Sequence, residues 1–236
     1  MLDKLLFACE ESQECCKAFR NEGHEAFSLD LKDCSGGHPE WHIKSDFFHH
    51  ISKTIHIYGF LGVHPVCKFM ANSGIRWLTS RKPKQGYEWS DKYQIYMNWK
   101  RYEEMEQAAL FLKSALSCVK SVGMGYIEQP IIHKYAMEII GEKPTQIIQP
   151  WMFGHTTKKA TMLWLVGLPK LEPTNVVPEY LRTDEIHKCP PSKDRDTIRS
   201  KTFPGIAKAM AEQWTPIING FEKTEKRGQK INYGQT

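Results

Sequence analysis

Two residues able to do covalent chemistry stand just past apolar runs. Cys67 follows the run 55–63, which stops at His64-Pro65, and Glu128 follows the run 124–127, which stops at Gln129-Pro130. A strand that ends near a proline hands its next residues to a loop at the sheet edge, where α/β proteins usually place their chemistry. A thiolate is a nucleophile, and a buried carboxyl group can hold a proton for a ring nitrogen. With a nucleotide-like cofactor, that pair is what covalent attack on a pyrimidine ring requires. The plain alternative is that Cys67 is a small apolar filler and Glu128 a helix cap, since most buried cysteines are inert.

The elements that would position the pair can be read outward from the N-terminus. Residues 4–8 form a short buried strand. Glu10-Glu11-Ser12 opens a helix with Ser12 as its cap, Cys15, Cys16 and Phe19 share one face, and Gly23 closes it. A second strand, 24–29, ends at Asp30. This strand–helix–strand–acid unit begins a Rossmann-like fold, in which the acid accepts from ribose hydroxyls. Glu10 and Glu11 would repel a pyrophosphate at the helix N-terminus. A cofactor without phosphates is favoured, and S-adenosylmethionine, with its sulfonium and amino groups, fits. Asp46, at a third strand end, suits an adenine amino group. Between them, Cys34, His38 and His42 have a spacing that could hold zinc. No fourth ligand is evident, and Gly36-Gly37 and Pro39 interrupt the alignment, so a loop over the cofactor pocket is the preferred reading and no metal is expected.

Residues 72–101 are polar and irregular, a lid or substrate loop. Arg76, Arg81, Lys82 and Lys84 alternate there with Trp77, Tyr87 and Trp89, a mixture suited to stacking on bases and pairing with phosphates. The competing reading is a surface loop anchored by its own aromatics. Helices follow at 103–119 and 131–140, strands at 124–127, 146–149 and 161–166, an irregular excursion at 169–201, and a helix after Phe203-Pro204-Gly205. The expected fold is α/β: one sheet flanked by helices in a single domain, 1–220, with a charged tail, 221–236.

Composition limits the partners. With 32 basic and 27 acidic residues the formal charge is +5, which permits a nucleic-acid partner without requiring one. No stretch has the length of a membrane span, and the N-terminus lacks the apolar region of a signal peptide. Seven cysteines, an odd number with no CxxC pair, suit reduced thiols in a cytoplasm.

In order, these segments resemble a minimal, phage-type member of the DNA cytosine carbon-5 methyltransferase family. Leu6-Phe7-Ala8 resembles the first cofactor motif, which implies Phe7 against the adenine. Asp30 and Asp46 resemble the ribose and adenine acids, and His64-Pro65-Val66-Cys67 the Pro-Cys nucleophile motif, with His64 at the cofactor pocket. Glu128-Gln129-Pro130 resembles the Glu-Asn motif. Lys159 is the nearest match to a basic residue supporting the catalytic pocket. The stretch 202–207, with Phe203, resembles the segment that completes the cofactor pocket. The chain departs from the family at Cys9-Glu10-Glu11, where glycines are usual, at Val66 for proline, at Lys68 for glutamine and at Gln129 for asparagine. It has little room for a separate target-recognition domain. The resemblance implies methyl transfer to carbon 5 of cytosine in DNA through a Cys67 adduct. The other readings are a catalytically inactive binding protein, an enzyme acting on free pyrimidine nucleotides, and an amino-methyltransferase, whose Pro-Pro-aromatic motif His64-Pro65-Val66-Cys67 fits poorly.

Overall fold

The computed structural model describes residues 4–185 and 201–231, with side chains through Gly220. The part of the 169–201 excursion at 186–200, and the end of the tail at 232–236, lie outside the described residues. The chain builds β1 (Lys4–Ala8), α1 (Glu14–Asn21), β2 (Glu25–Asp30), β3 (His42–Lys44), α2 (Phe47–Thr54) and β4 (Tyr58–Val63). Three short strands follow, β5 (Thr79–Ser80), β6 (Glu88–Ser90) and β7 (Ile95–Met97). The rest is α3 (Trp99–Val122), β8 (Gly125–Pro130), α4 (Lys134–Ile140), β9 (Gln146–Ile148), β10 (Thr161–Val166) and α5 (Pro204–Ile231).

The α/β expectation holds. Seven strands form one sheet in the order β3-β2-β1-β4-β8-β10-β9. The first five are parallel, and β10 runs antiparallel to both its neighbours. The chain winds outward from β1 to β3, then returns to β4 on the other side of β1. That reversal places a crevice at the carboxyl ends of β1 and β4. Alternation along β1 shows why the sheet has two covered faces. Leu5 and Phe7 join Phe60, Tyr126 and Leu163 beneath α1 and α5. Leu6 and Ala8 join Leu61, Val63 and Ile127 beneath α2, α3 and α4.

Several expectations need correction. Helix α1 starts at Glu14, not at Glu10–Ser12, and Ser12 is not its cap. Gln13 takes the cap position in a left-handed conformation, and the Glu10 carboxylate accepts from the backbone N–H groups of Cys15 (2.5 Å) and Cys16 (3.2 Å). Residues 72–98 are not an irregular loop: β5, β7 and β6 form a separate antiparallel sheet in that order. Helix α3 begins four residues earlier than expected because the Asn98 side chain accepts from Arg101 N–H (3.0 Å) and caps it. The segment 221–231, read as tail, continues the helical backbone of α5. The described part of the excursion, 169–185, is irregular as expected apart from a 3₁₀ turn, Glu179–Leu181.

Candidate functional site

Parallel pairing of β4 with β8 aligns Val63 with Ile127, where β4 ends; β8 runs on to Pro130 against β10, so Glu128 lies within the strand and not in a loop after residue 127, as the sequence suggested. The loop leaving β4 is then laced to the chain leaving β8. Gln129 donates from Nε2 to the Pro65 carbonyl, Asn72 N–H to the Ile131 carbonyl (2.8 Å), and His133 N–H to the Met70 carbonyl (3.0 Å). Cys67 lies within this loop, its carbonyl accepting from Met70 (3.1 Å) and Ala71 (3.0 Å), and the residue is half-buried.

Glu128 points to the α1–α5 side of the sheet, like Tyr126 two residues before it. Its side chain is 15 % exposed. Burial pushes its carboxyl group above the usual range, against the opposing pull of Lys159 and of a hydrogen bond from Thr161. Lys159 is held on the chain entering β10, its N–H donating to Gln149 Oε1 (3.0 Å), with its ammonium 5.6 Å from the Phe203 ring centre. The structure therefore brings Glu128, Lys159, Thr161, His64 and Phe203 to one edge.

His64 Nδ1 approaches Glu128 Oε2 at 4.0 Å, but this is not an ion pair. Burial and then the Lys159 charge depress the imidazole to about 3, so it is neutral at pH 7. Its ring sits in a network running through Tyr126: Nε2 meets the Tyr126 hydroxyl at 2.8 Å, Nδ1 meets Thr202 Oγ1 at 3.3 Å, and the tyrosine hydroxyl donates to Cys15 Sγ at 3.3 Å. With that tyrosine proton on sulfur, His64 must donate from Nε2 and accept from Thr202 at Nδ1, an assignment made from the network. Glu10, Cys15 and His64 also bring ligand-type atoms within 4.8 Å of one another, the metal-type cluster found among the described residues. Their atoms are already engaged: Glu10 by two amides, Cys15 and His64 by Tyr126.

The cofactor-side residues divide. Asp30 and Asp46 both reach Cys9, whose thiol is driven up to about 12, by burial first and then by these two carboxylates. The acids therefore flank the end of β1. Asp46 also caps α2, accepting from His49 N–H (2.9 Å), and Asp30 accepts from Lys32 N–H (2.9 Å). Leu31, next to Asp30, is exposed. Phe7 is a correction: its side chain is fully buried, 4.9 Å from the Phe19 ring and 5.7 Å from that of Phe60, because position 7 alternates inward beneath α1. It supports the sheet and cannot face a ligand. Of the triplet Cys34, His38 and His42, the two histidines have partners within their own loop and its neighbouring strand. His42 bonds Ser28 Oγ (2.9 Å) and the Lys32 carbonyl (2.9 Å), and His38 stacks on Trp41 at 3.7 Å.

Arg76, Arg81, Lys82 and Lys84 are exposed on and around the small sheet, whereas Glu128 belongs to the main sheet. Arg76 and Lys84 flank Trp77 at 5.3 and 5.8 Å, so the segment's own aromatics and cations pack on one another. Sequence reasoning missed Tyr126 and Thr161; it named Thr202 only within 202–207, and it read Glu10 as repelling a phosphate and not as an acceptor for the α1 amides. Tyr126 carried a signal, since residues i and i+2 of a strand share a face. Among the described residues, no helix is long and apolar enough to cross a membrane.

Fold and site together define a doubly wound α/β protein with its polar, ionisable residues gathered at the carboxyl edge of the sheet. No protein-family model matches the chain, and no curated protein matches it either.

Proposed function

We propose that the chain transfers a methyl group from S-adenosylmethionine to carbon 5 of cytosine in DNA through a covalent Cys67 adduct. One observation carries this reading: neighbouring parallel strands deliver a half-buried thiol loop and a buried carboxyl group whose proton affinity is raised, with a lysine beside the carboxyl. The Rossmann-like winding supports a nucleoside-shaped ligand at the β1–β4 crevice, with Asp30 and Asp46 for its hydroxyl and amino groups. The α1 amides of Cys15 and Cys16, which would receive a pyrophosphate in a dinucleotide fold, are taken by Glu10. That favours a cofactor without phosphates. Bound there, S-adenosylmethionine supplies an electrophilic methyl group.

The chain's own residues do the rest. The Cys67 thiolate adds to carbon 6 of the ring, and Glu128 gives its proton to the ring nitrogen, which makes carbon 5 nucleophilic. Carbon 5 would take the methyl group, the donor leaving as its neutral thioether; loss of the carbon-5 proton to a base then expels Cys67 as thiolate, and the ring nitrogen returns its proton to Glu128. Lys159 orients the carboxyl group and balances its charge once the proton has moved. In duplex DNA the cytosine must first leave the stack, at a cost of a few kcal/mol.

The test is transfer of labelled methyl groups to DNA and, separately, to dCMP. Cys67→Ser is expected to abolish transfer, and DNA carrying 5-fluorocytosine should form a denaturant-stable one-to-one adduct, because fluorine cannot depart from carbon 5 as a proton does. Undiminished transfer by Cys67→Ser would overturn the covalent scheme. Methylation of dCMP but not DNA would move the substrate to free nucleotides. Calorimetric binding of S-adenosylmethionine without turnover on either substrate would favour a binding protein.

A further inference from the structure

Beside the Cys67 loop lies an open depression of about 450 Å³, lined by Lys68, Trp77, Tyr87, Asn98, Arg101 and their neighbours Lys100 and Glu104. Its size falls in the range of small-ligand sites, roughly 300–1,000 Å³. Three structural units meet there: the residue after Cys67, the small three-stranded sheet, and the N-terminus of α3.

Three cations face a single carboxylate across it. That carboxylate, Glu104, is engaged by Arg101 at 3.4 Å. Arg101 is held in place, donating from Nη2 to the Lys68 carbonyl (2.9 Å) and lying 4.3 Å over the Phe69 ring. Its Nε is buried and has no hydrogen-bond partner among the described residues. The first turn of the 24-residue helix α3 adds the positive end of its dipole. Trp77, by contrast, is 55 % exposed, with its backbone carbonyl fixed by the Tyr87 hydroxyl at 3.0 Å. A large indole left in water between Arg76 and Lys84 is a surface on which a base can stack, next to positive charge that a phosphate can meet.

We infer that this depression holds a single-stranded segment of DNA, one base on Trp77 and Tyr87 and its phosphate on Lys68, Lys100 and Arg101, beside the loop that carries the thiol. The choice of DNA rests on the methyl-transfer reading; the site itself rests on the depression. It gives the stacking expected of this segment a place at Trp77 and Tyr87, and moves phosphate pairing from the four cations singled out in the sequence to Lys68, Lys100 and Arg101.

Fluorescence anisotropy with a labelled deoxyoligonucleotide, without cofactor, tests it. Trp77→Ala should weaken binding about tenfold, a single stacked base being lost. Lys100→Ala should flatten the dependence of log affinity on log salt by roughly 0.7, the value for one phosphate contact to a single strand. Trp77 and Lys100 are surface side chains, and circular dichroism of each variant checks that the fold is kept. Equal affinity and equal salt slope in wild type and both variants would overturn the inference, as would failure of the wild type to bind. Competition by dCMP at the same concentration of nucleotide units as the oligonucleotide would reassign the site to a free nucleotide. Because no methyl donor is present, oligonucleotide binding through Trp77 by a chain that transfers no methyl would sink the proposed reaction alone. Methyl transfer with Trp77→Ala binding unimpaired would sink this inference alone.

Discussion

Glu10 shows how one residue can decide what a site accepts. Its carboxyl group is 3 % exposed and lies against Cys15, with Tyr126 and His64 beyond. Burial raises it to about 7, although two amide donors pull the other way. A carboxyl whose folded value exceeds its unfolded one holds its proton better in the native state. Its stabilisation is therefore complete below pH 4.5 and is lost as pH rises through about 7. His64 runs opposite: depressed to about 3, it stays neutral in the fold, so stability is lost as pH falls from 6.5 towards 3. Glu10→Gln removes the first effect. Between pH 4.5 and 7.5 the wild type should lose on the order of 3 kcal/mol relative to this variant, read by urea unfolding at several pH values. Parallel stability curves would show that Glu10 ionises normally.

At the scale of elements, the junction of β4 and β8 carries the site, and Gly125 makes it possible. Gly125 has a φ of +148°, and a Cβ there would lie 2.0 Å from the Leu61 carbonyl oxygen. Two effects coincide, the strain of that backbone conformation for any other residue and direct collision with the neighbouring strand. Gly125→Ala should cost roughly 3 kcal/mol or more in chemical denaturation, as steric overpacking and backbone strain together imply. The same junction shows what was legible beforehand. Strand ends at His64-Pro65 and Gln129-Pro130 could be read because an apolar run meeting a proline has few other solutions. So could β10, matched at residues 161–166. The small sheet could not, since strands of two or three residues are too short to display alternation. Nor could the cap of α1: a carboxylate reaching forward from Glu10 leaves no mark that distinguishes it from a residue within the helix. Phe7 failed for a related reason, because alternation says that residues 6 and 7 face opposite ways but not which way has the ligand.

Taken as a whole, the molecule joins two apolar layers through one sheet, and Trp214 ties the later layer down. It is fully buried, its ring centre 5.3 Å from that of Tyr126, and its indole N–H donates to the Pro169 carbonyl (3.1 Å). Tyr126 in turn holds His64, so packing of α5 reaches the carboxyl edge of the sheet through one aromatic contact. Trp214→Ala should destabilise the chain by about 3–5 kcal/mol, the usual cost of a large buried aromatic. The check is the urea midpoint, and a loss under 1 kcal/mol would mean that α5 is not anchored there.

The order of synthesis gives that arrangement a consequence. Leu5 and Phe7 emerge from the ribosome with the first strand, but α5, which shares with α1 the covering of their side of the sheet, begins only at Pro204. Until it arrives, only α1 covers that side of the nascent sheet, and the apolar surface left over is a hazard of aggregation that chaperones exist to manage. Thr202 and Phe203 arrive with α5, so the polar edge around His64 and Lys159 stays incomplete until nearly all of the described fold has been translated.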